Sequence, residues 1–149
     1  TMTSSFGQTH FVEGRAKVID GDTIKIGKSR IRLHGIDAPE SKQCCKDKKL
    51  NYWLCGQAAT KALRKKINNR VVECFSDKKD RHKRHIAICS VDGTNRNQWL
   101  VLNGWAIAYR KYSKDYLEAE TAAKSIETGI WAGEFILPWE WRRGKRLKQ

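Results

Sequence analysis

The chain has 149 residues, of which 40% are apolar and 31% charged, and this composition predicts one folded domain and excludes a disordered chain. No apolar run approaches the roughly 18 residues that a membrane-spanning helix needs, so we expect no membrane partner. Thirty lysine and arginine residues against sixteen aspartate and glutamate residues give a formal net charge of +14, which makes nucleic acid the leading candidate partner, ahead of an acidic membrane surface.

The first part of the chain predicts a polar, flexible segment at residues 1–10 and then three strands with alternating apolar residues. The strands are Phe11–Ile19, Thr23–Ile26 and Arg30–His34. Asp20-Gly21-Asp22 interrupts the pattern between the first two strands. Pro39 ends the segment after the third strand, because proline has no N–H to donate to a sheet.

The rest of the predicted domain, which spans residues 11–140, contains three helices and two further strands. Residues 41–53 are charged and irregular, which indicates a surface loop, and residues 141–149 form a basic tail. The helices are expected at Gly56–Ile67, Asn97–Asn103 and Lys114–Glu127, and the strands at Val71–Phe75 and His85–Val91. Five short strands with appended helices in this order are typical of an α+β, mainly β, OB-type barrel, a fold that commonly binds oligonucleotides.

The five cysteines, Cys44, Cys45, Cys55, Cys74 and Cys89, contain no CxxC pair, and two adjacent cysteines are poor ligands for one zinc ion. Disulfides fit this spacing better. Cys74 and Cys89 each end a predicted strand and could face each other, whereas Cys55 could bond to either Cys44 or Cys45. Five free thiols are the alternative. Disulfides would place the protein in an oxidising compartment, secreted or periplasmic.

Four acidic residues, Asp20, Asp22, Asp37 and Glu40, flank a predicted hairpin that would bring them close together. Neighbouring carboxylates repel each other unless a cation lies between them. Oxygen ligands suit calcium or magnesium, and the absence of histidine and cysteine from these clusters argues against zinc. Taken singly, Asp-Gly-Asp would be read as an ordinary turn and Asp-Ala-Pro-Glu as the end of a strand.

Arg32 alternates with the apolar residues Ile31 and Leu33, so its side chain faces away from theirs and could point at the acidic cluster. A cation and guanidinium groups together can neutralise the oxygens of a phosphodiester. Arginine suits this task because its planar fork donates two parallel hydrogen bonds to phosphate. A nearby carboxylate can orient or deprotonate an attacking water.

Three segments resemble the signature segments of the staphylococcal nuclease (thermonuclease) family. They are Val18-Ile19-Asp20-Gly21-Asp22-Thr23, Arg32-Leu33-His34-Gly35-Ile36-Asp37-Ala38-Pro39-Glu40 and Asp80-Arg81-His82-Lys83-Arg84. The similarity covers roughly Phe11 to Trp131. It implies a five-stranded OB-fold barrel with three appended α-helices, and a calcium-dependent, sugar-nonspecific enzyme that cleaves DNA and RNA and leaves 3′-phosphate ends.

The resemblance also implies roles for individual residues. Asp22 and Asp37 would be calcium carboxylates, and Ala38 would bind the ion through its main-chain carbonyl. Glu40 would orient or deprotonate the attacking water. Arg32 and Arg84 would bind phosphate, with Arg84 also steadying the leaving oxygen. Tyr109, Tyr112 and Arg81 would contact substrate. The tyrosines would stack on bases, and packing within the protein is the alternative for both of them.

The sequence departs from the family pattern at three places. His82 and Lys83 stand where the third segment often has tyrosine and glycine, which could change the turn that presents Arg84. His34 should share a strand face with Arg32, with or without a role in the pH profile. The cysteine-bearing residues 44–55 lack a clear counterpart in the simplest family members.

Two alternatives stand beside a monomeric nuclease. A non-catalytic OB-fold module that only binds nucleic acid would be expected to lose acids or arginines that this chain retains. A membrane-active basic protein would need a helix with a broad apolar face opposite lysines and arginines, and Lys114–Glu127 is too acidic for that.

Overall fold

A computed structural model describes residues 9–111 and 113–148. The described part of the chain forms ten strands, four α-helices and one 3₁₀-helix. The strands are β1 His10–Asp20, β2 Thr23–Ile26, β3 Ser29–Leu33, β4 Ile36–Asp37, β5 Cys45–Lys46, β6 Tyr52–Trp53, β7 Val71–Lys79, β8 His85–Val91, β9 Thr94–Asn95 and β10 Ile107–Ala108. The helices are α1 Cys55–Ile67, α2 Arg96–Leu102, α3 Leu117–Ser125 and α4 Pro138–Arg142, and Gly129–Ala132 is the 3₁₀ turn.

Five strands close into a barrel, which confirms the predicted OB-type fold. The sheet order is β3-β2-β1-β7-β8-β9, and a parallel pairing between β3 and β8 closes its first five strands into the barrel. In that pairing Ile31 lies opposite His85 and Leu33 opposite Ala87. The alternating apolar side chains fill the interior, because successive residues of a strand point to opposite faces. Ile24, Ile31 and Leu33 are at most 2% exposed.

The helices cover the barrel and extend it at one side. Helix α1 packs on β1, and α2 packs on β8 and α3. Helix α4 is an addition to the three helices that we expected, and it crosses the boundary between residues 140 and 141, where the basic tail was expected to begin. A second apolar cluster of Cys45, Cys55, Ile107 and Ile130 packs against the aromatic residues that precede and begin this helix, including Phe135 and Trp139.

The loop predicted at residues 41–53 is more ordered than its charged composition indicated. Its strands β5 and β6 pair antiparallel, with Cys45 opposite Trp53. A disulfide joins Cys45 to Cys55 at the start of α1, which resolves the choice between Cys44 and Cys45 and leaves Cys44 as a free thiol. The bond fastens the loop to the second apolar cluster, where both sulfur atoms are buried.

The disulfide between Cys74 and Cys89 joins two directly paired residues of β7 and β8. Its sequence separation is 15 residues. We therefore expect the double variant Cys74→Ala/Cys89→Ala to lose about 3 kcal/mol of unfolding free energy in urea titrations, because the unfolded chain regains its loop entropy. Cys44→Ala is the control and should change stability by less than about 0.5 kcal/mol. Equal losses in both variants would contradict a stabilising role for the bond.

Candidate active site

Two buried carboxylates from separate strands meet at one end of the barrel. Asp22 follows β1, and Asp37 ends β4, where it pairs with Ile107 of β10. Asp22 is 6% exposed and Asp37 is fully buried. The guanidinium of Arg32 lies between them, with Nη1 3.6 Å from Asp22 Oδ2 and Nη2 3.6 Å from Asp37 Oδ1. The structure therefore brings together three residues that the sequence analysis placed in one site.

The turn at residues 20–22 is held against the end of β4 by close backbone packing. The N–H of Ala38 donates to Asp22 Oδ2 at 2.9 Å, and the N–H of Leu33 donates to the Asp22 carbonyl at 2.9 Å. A Cβ at Gly21 would lie 2.8 Å from the Cβ of Ala38 and 3.1 Å from that of Ala59. Glycine at position 21 thus allows the two acidic segments to approach each other.

The carboxyl groups of this cluster have strongly shifted pKa values. Burial, together with the charge of Asp22, raises the pKa of Asp20 to about 7. Burial also raises the pKa of Asp37 to about 6, and the charge of Asp22 adds to the effect. Burial opposes ionisation of Asp22 as well, but the charge of Arg32 and several hydrogen bonds lower its pKa below the ordinary value. The cluster has more buried negative charge than Arg32 alone can balance.

Glu40 lies beside this cluster and has a firmly held backbone. Its N–H donates to Gln43 Oε1 at 3.1 Å, and its carbonyl accepts from the Gln43 N–H at 2.7 Å. A Cβ at Gly56 would collide with the Glu40 carbonyl oxygen at 1.7 Å, so the start of α1 packs directly on this segment. The Glu40 side chain is 35% exposed and therefore stays accessible to water.

Arg84 is presented by a turn that Asp80 organises. The Asp80 carboxylate accepts from the N–H groups of His82 and Arg84, at 2.9 and 3.0 Å, and from Arg84 Nε at 2.8 Å. Lys83 takes a left-handed backbone conformation with φ of 65° at the position where the family pattern often has glycine. The turn therefore forms without the glycine, at the cost of a backbone conformation that lysine rarely adopts.

Arg142 of helix α4 is a site residue that the sequence analysis assigned to the basic tail. Its Nη1 lies 3.1 Å from Asp37 Oδ1 and 3.0 Å from Glu40 Oε2, and its Nη2 lies 2.9 Å from Asp37 Oδ2. A signal was present in Pro138-Trp139-Glu140-Trp141-Arg142, because proline at the first position favours a helix start and tryptophan favours packing. Which carboxylates the arginine would reach could not be read from that pattern.

The expected substrate-contact residues differ in their surroundings. Tyr109 lines the same cleft and stacks on Trp139 with 5.0 Å between ring centroids. Arg81 lies exposed on the cleft wall. Tyr112 lies outside the described residues. His34 also lines the cleft, and its Nε2 is 3.3 Å from Asp115 Oδ2.

The site opens into a cleft with a volume of about 790 Å³. Its described lining includes the acids Asp20, Asp22, Asp37, Glu40 and Asp80 and the cations Arg32, Lys78, Lys79, Arg81, Arg84, Lys111 and Arg142. Lys78, Lys79, Arg81 and Lys111 are exposed, whereas Asp22 and Asp37 are buried. Such an arrangement attracts a polyanion to the rim and leaves carboxylate oxygens at the bottom.

The side chains of Asp22 and Asp37 could bind a hard cation such as calcium only together with oxygen ligands that are not side-chain carboxylates. Within residues 9–111 and 113–148, no three histidine, cysteine, aspartate or glutamate side chains converge to hold an ion. Asp22 and Asp37 supply two carboxylates, so a calcium ion would need water and main-chain oxygens to reach its usual six to eight ligands. The all-oxygen surroundings and the surplus of buried negative charge are compatible with such an ion.

Comparisons with known proteins identify relatives over most of the chain. The family model described as "Staphylococcal nuclease homologue" matches residues 30–133. The chain is 35% identical over 136 residues to the succinoglycan biosynthesis protein ExoI of Rhizobium meliloti (strain 1021), covering 89% of this chain and 71% of the relative. It is 34% identical over 139 residues to an "Uncharacterized endonuclease" of Haemophilus influenzae, covering 88% and 72%.

A plant protein shows the same similarity as part of a longer chain. The "Probable staphylococcal-like nuclease CAN1" of Oryza sativa subsp. japonica is 33% identical over 129 residues, which cover 85% of this chain and 36% of the relative.

The turn that carries Arg84 should depend on the charge of Asp80. Burial tends to raise the pKa of Asp80, but hydrogen bonds from Arg84 and the charge of that residue outweigh this and lower it. Asp80→Asn keeps one oxygen for the two backbone N–H groups but removes the charge and places an NH2 group against Arg84 Nε, so we expect a loss of about 1–3 kcal/mol in unfolding free energy at neutral pH. The loss should shrink in acid, because a group with a lowered pKa contributes stability above its ordinary pKa of 3.8 and loses it as the pH falls further.

Asp92→Asn is the matched control for Asp80→Asn, and both variants are compared by chemical unfolding. Asp92 forms an exposed ion pair with Arg70 away from the cleft, so the loss should stay below about 1 kcal/mol. Equal losses at Asp80 and Asp92 would contradict an organising role for Asp80.

Proposed function

The chain belongs to the staphylococcal nuclease family, and we propose that it is a calcium-dependent, sugar-nonspecific nuclease that hydrolyses DNA and RNA to leave 3′-phosphate ends. One observation carries the proposal: Arg32, Arg84 and Glu40 line the same cleft as the buried carboxylates Asp22 and Asp37. A module that only binds nucleic acid would have no use for buried carboxylates at the bottom of a basic cleft, because they repel phosphate.

Asp22 and Asp37, with the Ala38 carbonyl and water, are the residues that would hold the calcium ion. Such an ion supplies positive charge to the phosphoryl oxygens and brings a water close to phosphorus. Asp22 is kept ionised by Arg32 and by the Ala38 N–H, so it is ready to bind a cation. Its burial fixes the position of the oxygens and excludes most of the competing solvent.

Glu40 is suited to orient the attacking water and to accept its proton. Its backbone is fixed by Gln43 and by the start of α1, while its carboxylate faces the open cleft. This combination provides a precise location together with access to solvent. A carboxylate in hydrogen-bond reach of the nucleophile typically contributes about 10²–10⁴-fold to a hydrolysis rate.

Arg32 and Arg84 would neutralise the phosphate from two sides. Arg32 extends from the barrel between the two metal carboxylates, and Arg84 precedes β8, the strand that pairs with β3. Hydrolysis that breaks the bond to the 5′ oxygen leaves charge on that oxygen, and Arg84 is the residue proposed to stabilise it. Tyr109, Tyr112 and Arg81 are proposed to bind the neighbouring nucleotides.

The two disulfides favour a secreted or periplasmic location, because such bonds persist in oxidising compartments. None of the helices in the described part of the chain is long and apolar enough to cross a membrane. The proposed partners are therefore DNA and RNA met outside the reducing cytosol. A monomer is proposed because Asp22, Asp37, Arg32, Glu40 and Arg84 line one cleft of a single chain.

Cleavage should require calcium. Single-stranded DNA and RNA incubated with the protein should be cut in calcium and stay intact in excess chelator. The product ends should block polymerase extension until a phosphatase removes the 3′ phosphate. Intact but gel-retarded nucleic acid under both conditions would instead identify a non-catalytic binding module.

Cleavage should also depend on Glu40. Glu40→Gln keeps the shape of the side chain but removes its basicity, so kcat should fall by about 100-fold or more while the protein remains folded. Glu118→Gln, on the exposed side of α3, is the matched control and should keep the parental rate. A Glu40→Gln protein that cuts as fast as the parent would remove Glu40 from the mechanism.

A further inference from the structure

Arg142 holds the carboxylate that the proposed cation would need. Its fork contacts both oxygens of Asp37 at 2.9 and 3.1 Å, and Nη1 also reaches Glu40 Oε2 at 3.0 Å. These are charge-assisted hydrogen bonds to a buried acid, and they raise the pKa of Arg142. The guanidinium therefore acts as the second counter-ion of the acidic cluster, beside Arg32.

A calcium ion and Arg142 would compete for Asp37 in this arrangement. Each carboxylate oxygen of Asp37 already accepts a hydrogen bond from the guanidinium, and Arg32 lies 3.6 Å from one of them. A cation at Asp37 would stand next to a fixed positive charge, and the repulsion would be strong in a buried site. Cation binding at Asp37 thus favours release of Arg142.

The position of Arg142 would let its released side chain reach a substrate phosphate in the cleft. It ends the short helix α4, its side chain is 38% exposed, and it lines the same cleft as Arg32 and Arg84. The helix itself is anchored, because Trp139 stacks on Tyr109 and Pro138 is buried. A rotamer change of one long side chain can therefore redirect the guanidinium into the cleft without moving the backbone.

We propose that Arg142 is a third phosphate-binding arginine that is held by Asp37 and Glu40 in the cation-free protein and transferred to a substrate phosphate when the cation takes Asp37. This inference rests on the proposed function, since it assumes both the cation and the phosphodiester substrate. Calcium and nucleic acid would then bind cooperatively. Calcium takes Asp37 and the substrate phosphate takes Arg142, and these two residues otherwise bind each other.

Arg142→Gln tests the proposal through two affinities that should change in opposite directions. Calcium affinity without nucleic acid, measured by isothermal titration calorimetry, should rise by roughly tenfold because the competing charge is gone. Affinity for a single-stranded DNA in calcium, measured by fluorescence anisotropy, should fall by about fivefold, with a salt slope reduced by about one. The DNA carries methylene groups in place of its bridging 5′ oxygens, which keeps the phosphate charge and prevents cleavage.

Two further variants control for charge and for folding. Arg143→Gln removes a charge from an exposed neighbour that does not contact Asp37, so calcium affinity should change by less than about twofold. Arg142→Lys keeps the charge but lacks the fork, and its calcium affinity should lie between those of the parent and Arg142→Gln. In chelator, Arg142→Gln should unfold at a lower temperature than the parent, and calcium should reverse the difference, which also shows that the variant folds.

Calcium binding and DNA cleavage by the parent protein test the proposed function, whereas the affinities of Arg142→Gln test the role of Arg142. A parent protein that binds no calcium would overturn both. A parent that binds calcium and cuts DNA, with Arg142→Gln unchanged in calcium affinity or matching Arg143→Gln in both measurements, would overturn the role of Arg142 alone. Tighter calcium binding with unchanged DNA affinity would also overturn it, because the transfer to phosphate would be absent.

Discussion

The architecture of the cleft depends on keeping two carboxylates buried at the end of a β-barrel. Asp22 and Asp37 carry charge where water cannot stabilise it, and an uncompensated buried charge costs several kcal/mol. Arg32 compensates both, and Arg142 adds a second guanidinium at Asp37. Burial raises the pKa of Asp20 to about 7 and that of Asp37 to about 6. A cation bound beside these carboxylates would favour their ionised forms.

The barrel closure explains how distant segments share one cleft. Because β3 and β8 pair in parallel with Ile31 opposite His85, the turn that ends at Arg84 lies beside the start of β3. The short pairing of β4 with β10 places Asp37 next to the segment that leads to Tyr109. Neither contact is local in sequence, and both follow from hydrogen-bond register. Local turns then set the side-chain positions. Gly21 allows the segments that carry Asp22 and Asp37 to approach each other, and Asp80 orients Arg84.

The residues after the barrel add a layer that the site also needs. The Cys45–Cys55 disulfide, Ile107 and Ile130 form an apolar cluster against the aromatic segment at residues 131–139. Gln43 Nε2 donates to the Ile136 carbonyl at 2.7 Å, so the segment after Glu40 is tied to the approach to α4. This packing explains why a basic C-terminal segment has a defined path and why its arginine reaches Asp37. The tryptophans in this region are packing residues, and Trp139 also supports Tyr109.

The sequence by itself determined the barrel class and the local grouping of the chemistry. Strand alternation fixed β2 and β8 to the residue, and the order of acids around one hairpin brought Asp22, Arg32 and Asp37 together, because a hairpin is a local structure whose geometry follows from its own residues. Only the tertiary structure decided which cysteine joins Cys55 and that Arg142 belongs to the site. The contact of Arg142 with Asp37 joins residues 105 positions apart, and composition and periodicity describe only the near neighbours of each residue.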